Sequence, residues 1–399
     1  MKKTTLPLPL GFRASGVHAG LKANGKLDMG FLYSARPAVW AGMVTKNALR
    51  SAPARRTEKL LKGRKPLRAV VVNTKYANDL TGRQGYKDVE DTAVWAAQLL
   101  KLSPWEVLVH STGVIGVPVP RPKIKKGVRM GVLSLSSLGG ENFSHAILTT
   151  DLTTKTSARP LASGGRPAWL MGFAKGSGMI HPNLATMLVY LLTDATLSRD
   201  LLGRALREAV ETSFNRITVD GDTSPSDSVV LLANGAAGAK PIIRPGSDYR
   251  AFVQALKAVC LDLAQDVIRD GEGATKFVTV TVQGAKKESE ALLAAKAVAH
   301  SPLVKTAIFG ADPNWGRILT AVGYSGASVD EFKVKVSIGG YALYDGAPKR
   351  GWSREKLKKI LSQKNVEIVV DLRLGKGKTT VYTCDLTDGY IDINGRYTT

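Results

Sequence analysis

The residues best suited to do chemistry in this 399-residue chain lie between Lys175 and Ala195, in KGSGMIHPNLATMLVYLLTDA. Gly176 and Gly178 allow a sharp bend, Pro182 fixes the approach, and Met187, Leu188, Leu191 and Leu192 recur at the spacing of one helical face. That pattern predicts a helix with Thr186 in its first turn. The free N–H groups and positive dipole end there suit two roles for the hydroxyl: a cap, or a nucleophile whose developing negative charge they stabilise. Lys175, just before the glycine-rich turn, reads locally as a solvated cation. Glu272, between Gly271 and Gly273, reads as a solvated turn residue or as a carboxylate that glycine neighbours let the backbone approach closely. Asp220-Gly221-Asp222-Thr223 gathers acids as a metal site would, but without histidine or thiol partners, which favours a structural role and no metal.

Six further blocks surround this stretch in order: Gly11 to Val17 (GFRASGV), Ser111 to Gly116 (STGVIG), Asn215 to Thr223 (NRITVDGDT), Asp270 to Lys276 (DGEGATK), Gly310 to Arg317 (GADPNWGR) and Ile393 to Thr399 (INGRYTT). With them the chain closely resembles, over nearly its whole length, the glutamate N-acetyltransferase family, the ornithine acetyltransferases of arginine biosynthesis. In that family an Ala-Thr bond preceded by Pro-Asn and followed by Met-Leu cuts itself. The resemblance therefore implies cleavage at Ala185-Thr186 into an N-terminal chain 1–185 and a C-terminal chain 186–399, the latter including a lobe over about 280–399.

The freed Thr186 would be the catalytic nucleophile, its amine the local base. Acyl transfer passes through an oxyanion that needs donors fixed in advance, and the family's Thr-Gly pair maps onto the Thr112 hydroxyl and the Gly113 N–H. Substrate binding maps onto Thr149 with Thr150 adjacent, Lys175, Thr186, Glu272, Asn394 and Thr399. Lys175 would pair with an α-carboxylate and Glu272 with the amino end. The implied reaction moves acetyl from N-acetylornithine to glutamate, with no metal or organic cofactor; acetyl-coenzyme A stays open as a further donor. The implied partners are these small substrates and the two cut chains associated with each other as an α2β2 assembly. The chain departs from the family at Asn73-Thr74-Lys75-Tyr76-Ala77-Asn78, where a small-residue Asn-Ser-Gly-Asn-Ala block is usual.

Composition sets bounds. A hydrophobic content of 44% suffices for a buried core, and no uninterrupted apolar run approaches the roughly 18 residues of a membrane span. Cys260 and Cys384 are the two cysteines, in a helix pattern and a strand pattern, so no disulfide framework is expected and a reducing compartment fits. The net charge of +23 is uneven: residues 1–185 hold 28 Lys/Arg against 9 Asp/Glu, residues 186–399 hold 28 against 24. The first 75 residues carry only Asp28 and Glu58 as acids, a bias shared with organelle transit peptides, yet family-like sequence begins at Gly11. A cytoplasmic protein is expected, with a mitochondrial matrix one as the alternative. The basic runs Arg55-Arg56, 62–65 and 121–129 lack interleaved aromatics, so they read as solvated surface that attracts anionic substrates, with no specific nucleic-acid partner. The rival readings are a related self-processing amidase or aminopeptidase and a basic nucleic-acid-binding protein.

The elements that must position these residues follow from periodicity. Strands are expected between Phe12 and Ala52, at Leu67–Asn73, Val107–His110, Phe143–Asp151, Trp169–Lys175, Ser228–Ala233, Phe277–Val282, Lys333–Ile338, Glu367–Leu372 and Thr379–Asp385. Helices are expected at Arg56–Leu61, Asp88–Leu102, after Thr186, and at Arg199–Phe214, Tyr249–Ile268, Glu288–Ala299 and Arg354–Leu361. The loop at Asp312 to Arg317 reads as structural around Trp315. Together with the resemblance, this gives an α/β fold: a layered sandwich of mostly antiparallel sheets flanked by helices, with a smaller C-terminal α/β lobe.

Overall fold

The computed structural model describes residues 7–163, 165–181 and 187–396. In chain order the first part comprises β1 (Phe12–Val17), β2 (Met29–Val44), α1 (Ala52–Gly63), β3 (Leu67–Asn73), α2 (Gly82–Leu100), β4 (Val107–Ser111), α3 (Arg121–Leu133), α4 (Gly140–Ala146), β5 (Lys155–Ser163), β6 (Arg166–Lys175), β7 (Leu188–Thr193), α5 (Arg199–Glu211), β8 (Ser228–Ala233) and α6 (Ser247–Arg269). There follow β9 (Phe277–Ala285), α7 (Glu288–His300), α8 (Pro302–Phe309), α9 (Gly316–Gly323), β10 (Lys335–Ile338), β11 (Tyr341–Asp345), α10 (Arg354–Leu361), β12 (Asn365–Asp371), β13 (Gly377–Cys384) and α11 (Asp388–Arg396).

An eight-stranded sheet runs β4-β3-β2-β8-β7-β6-β5, with β1 pairing on β2. The 16-residue β2 makes it possible: its first half pairs with β3, its register shifts between Tyr33 and Ala38, and its second half pairs with β8. The sheet thereby folds over itself. Alternate side chains then reach different cores, as period-two strands require. Leu188, Tyr190 and Leu192 of β7 meet Val70 and Val72 of β3 in the central core. Val189 and Leu191 face a core shared with α5 and α6, while Ala69 and Val71 face one shared with α2 and α3. Four layers result: helices, strands, strands, helices. Most strand pairs are antiparallel; β3-β4, β7-β8 and β9-β12 are parallel. A second sheet, β11-β10-β12-β9-β13, has its own apolar core with α7, α9 and α10. It joins the first through Thr218 N–H, which donates to the Tyr382 carbonyl at 3.0 Å.

Two expected elements change type. The segment following Thr186 is the strand β7, not a helix: all six of its residues are buried, and it is hydrogen-bonded to β6 on one side and β8 on the other. A short continuous apolar run satisfies both periodicities, and burial on both faces decides for a strand. Conversely, Phe143 lies in helix α4 and the expected strand 143–151 does not form. Phe143, Ala146 and Ile147, spaced three and four apart, point together into the core, each 0% exposed. Helix α2 begins at Gly82 rather than Asp88, and residues 388–396 form α11 where a plain polar tail is expected.

Candidate active site

The cavity lies at one end of the sandwich, between its two strand layers. Strand β4 ends at Ser111 and delivers Thr112 and Gly113; β6 ends at Lys175; Met187 and Asp227 stand just before the parallel strands β7 and β8. These residues, with Ala77, Thr149, Thr150, Gly178, Ser224, Glu272 and Asn394, line a cavity of about 220 Å³. Six of the residues singled out from the sequence, Thr112, Gly113, Thr149, Lys175, Glu272 and Asn394, thus line one cavity. The expected cleavage and binding positions Ala185, Thr186 and Thr399 lie outside the described residues.

Lys175 is the electrostatic centre. Its ammonium donates to Thr149 Oγ1 at 2.8 Å and to Thr112 Oγ1 at 3.1 Å. Because the Thr112 oxygen accepts from a cation, its own proton is polarised and free to point at an oxyanion. Burial lowers the Lys175 pKa, opposed by Asp151 and reinforced by Lys155. Asp151 works behind it: one carboxylate oxygen accepts from Gly176 N–H at 2.7 Å and Lys155 Nζ at 2.8 Å, the other from Thr149 N–H at 3.0 Å. Burial pushes this carboxyl up, but the Lys175 and Lys155 cations and the bonds it accepts outweigh it and hold the group well below the usual range. Lys155, 0% exposed, also binds Asp270, 115 positions away in sequence, and Asp270 accepts in turn from Leu152 and Thr153 N–H.

The opposite wall is built on Glu272, whose peptide N–H donates to the Ser177 carbonyl at 2.9 Å. Any Cβ on Gly178 would come within 2.1 Å of the Glu272 carboxylate, so the glycine is what lets this charge reach the cavity. Gly273, at φ +68°, serves α11 similarly: a Cβ there would lie 2.3 Å from Tyr390 N. Helix α11 so seated places Asn394 Nδ2 2.8 Å from Glu272 Oε2. Asp220 holds the loop between these walls by accepting from Met179 N–H at 2.6 Å and Ile180 N–H at 2.9 Å, and Tyr390 OH donates to it at 3.4 Å. Burial raises the Asp220 pKa. Its acidic turn is structural, and among the described residues no group of three or more His, Cys, Asp or Glu is arranged to hold a metal.

Sequence reasoning missed Asp151 and Asp227 as parts of the site and gave Asp220 no partner. Asp151 was within sight, as the end of the Thr149-Thr150-Asp151 run. The 73–78 segment brings only Ala77 to the cavity: Lys75 adopts φ 74° and its carbonyl accepts from Val114 N–H, so its backbone fixes the Thr112-Gly113 turn from behind.

A buried cation, a polarised hydroxyl, backbone N–H groups and a carboxylate converging on one small cavity form a site able to hold a zwitterionic substrate and stabilise an oxyanion, the equipment of an acyl-transfer enzyme. Comparison with known proteins agrees. The ArgJ family model matches residues 13–399. The arginine biosynthesis bifunctional protein ArgJ of Thermus thermophilus is 47% identical over 393 residues, 98% of this chain and 99% of that protein. Its namesake from Geobacter sulfurreducens is 45% identical over 392 residues, 98% of this chain and 99% of the relative. The crystal structure of ArgJ from Bacillus halodurans, 43% identical, superposes with a TM-score of 0.51, covering 53% of this chain and all of that one. The chain belongs to the ArgJ family.

Proposed function

We propose that this protein transfers the acetyl group of N2-acetyl-L-ornithine to L-glutamate, giving L-ornithine and N-acetyl-L-glutamate for arginine biosynthesis, through an acetyl ester on Thr186. The observation that carries the reading is the single cavity uniting Thr112, Gly113, Thr149, Lys175, Glu272 and Asn394 with Met187, the covalent neighbour of Thr186. In the first step the Thr186 hydroxyl attacks the Ala185 carbonyl, the acyl group passes from nitrogen to oxygen, and water hydrolyses that ester, which cuts the chain and leaves Thr186 with a free amine and a free hydroxyl. The freed amine then takes the hydroxyl proton as Thr186 attacks the acetyl carbonyl. Thr112 and Gly113 hold the oxyanion, Lys175 pairs with the substrate α-carboxylate, and Glu272 with Asn394 receives the amino end. Glutamate's amine finally removes the acetyl group.

Sheet order supports a cut that leaves the protein whole. Strands β7 and β8, from the C-terminal piece, lie between β2 and β6 of the N-terminal piece and bond to both. Without β7 and β8 the N-terminal piece is left with β4-β3-β2 and β6-β5 on either side of a gap in the eight-stranded sheet. Intact-mass measurement should therefore find 1–185 and 186–399 in a purified, associated protein, with Thr186→Ala uncut and without transfer. Uncut wild-type protein that transfers acetyl at full rate would overturn the mechanism. Release of acetate independent of added glutamate would favour the amidase reading. Supplying acetyl-coenzyme A in place of acetylornithine decides whether a thioester also serves as donor.

A further inference from the structure

Asp227 has no task in the mechanism above, yet it is the most anomalous group in the cavity. It is 3% exposed, one of its carboxyl oxygens has no hydrogen-bond partner, and it lines the same cavity as Thr112, Gly113 and Lys175. Buried polar atoms are rarely left unpaired, and an exception inside a reaction cavity calls for a ligand or a reacting group. Register places it beside the proposed nucleophile's neighbour: β7 and β8 run parallel with Leu188 opposite Ser228, and Ser228 N–H donates to the Met187 carbonyl at 2.9 Å.

We propose that Asp227 is a further catalytic residue, the proton carrier that protonates the amine leaving the tetrahedral intermediate and deprotonates the amine that replaces it. The role rests on the Thr186 reading. On acylation the Thr186 oxygen bonds the acetyl carbon and its proton passes to the Thr186 amine; collapse breaks the acetyl C–N bond, and the departing ornithine amine takes the proton of Asp227. Asp227 is then a carboxylate and the Thr186 amine an ammonium. In the second half the neutral amine of glutamate bonds the acetyl carbon and gives its proton to Asp227. The ester C–O bond breaks and the Thr186 oxygen recovers its proton from the ammonium. Both groups end as they began.

The surroundings fit a group that starts protonated. Burial raises the Asp227 pKa well above the carboxylate range, with the Ser224 hydroxyl and the Lys175 charge only partly opposing. Among the described residues Lys175 on β6 and Glu272 are the other titratable groups lining it, to which the mechanism adds the Thr186 amine. The segment after β2 that packs behind Asp227 binds through Thr45 N–H to the Asp227 carbonyl and through Asn47 to Thr223, neither of which titrates. Lys175 is already occupied, with two of its three N–H groups on Thr112 and Thr149 and the third left for the substrate α-carboxylate.

The test compares leaving groups. Wild type and Asp227→Asn are each acylated with N-acetylornithine, whose amine must leave with a proton, and with p-nitrophenyl acetate, whose phenolate need not. Acetylation of the 186–399 piece is read by mass. Acylation by the amide should fall by about 10²–10⁴-fold in Asp227→Asn, while acylation by the ester stays within the same order of magnitude. Equal losses on both donors in cut variant, or no loss on the amide, would overturn the role. Should Asp227→Asn fail to fold or cut, wild type decides. The acid form is required, so the ratio of amide to ester rates must fall as pH rises through the carboxyl's titration, and a ratio flat with pH overturns the proposal. Wild type that takes acetyl on neither Thr186 nor any other residue of that piece removes the nucleophile itself, a failure separable from that of Asp227.

Discussion

The two sheets bury very different things. The core under β10, β12 and β9 is made of Val, Ile, Leu and Ala side chains, with Lys305 and Asp385 as the buried charged groups among the described residues from Phe277 onward. The folded-over sheet buries Asp28, Arg56, Asp88, His110, Asp151, Lys155, Lys175, Asp227 and Asp270. Each such group is costly to desolvate, and all but Asp227 offset that cost through the ion pairs or hydrogen bonds they make. Several of them, Asp151, Lys155, Lys175, Asp227 and Asp270, lie in or directly behind the cavity. One half of the molecule therefore spends stability to hold a polar site, and the other is plain packing that supports it.

The contrast can be broken at Lys155. Replacing it with Met leaves Asp151 and Asp270 buried without their shared cation, and should destabilise the protein by about 3–5 kcal/mol, read as a fall in the urea midpoint. Acetyl transfer should be lost along with it, because Asp151 then no longer fixes Gly176 and Thr149. The mirror experiment is Ile368→Ala, at a 0% exposed position in the C-terminal core. It should cost about 2–5 kcal/mol of stability with kcat/KM per folded molecule unchanged. An equal loss of kcat/KM would mean that the two cores are coupled. The smallest effect sharpens the edge between them. Helix α11 has no buried residues, so Asn394→Ala should hardly move the melting temperature. It removes a hydrogen bond to a charged Glu272, worth roughly 1.5–3 kcal/mol, and should lower kcat/KM about tenfold while self-cleavage proceeds.

Legibility in the sequence did not follow the division between the two sheets. Strand β3, strand β8 and helix α10 keep the bounds expected of them, because turn residues bracket each one and a single periodicity fits. The layered α/β class followed from those patterns and from the family blocks. The site was legible where chemistry sits inside a block, as with Thr112-Gly113, Lys175 and Glu272. It was illegible where partners are distant: nothing local in Lys155 announces Asp270, and nothing in Asp220 announces the N–H groups of Met179 and Ile180. Strand β7 was misread for the opposite reason, since its six residues are all buried and leave no polar face to fix a period.

The interleaving of β7 and β8 between β2 and β6 has a thermodynamic consequence. Strands β6 and β7 pair from Leu170 with Thr193 to Lys175 with Leu188, and the bond proposed above to be cut, Ala185-Thr186, lies in the sequence between them. Before the cut this ladder is a hairpin within one molecule; afterwards the same hydrogen bonds join two chains. Melting then becomes dissociation, and its midpoint should rise with protein concentration in the cut protein and stay constant in Thr186→Ala.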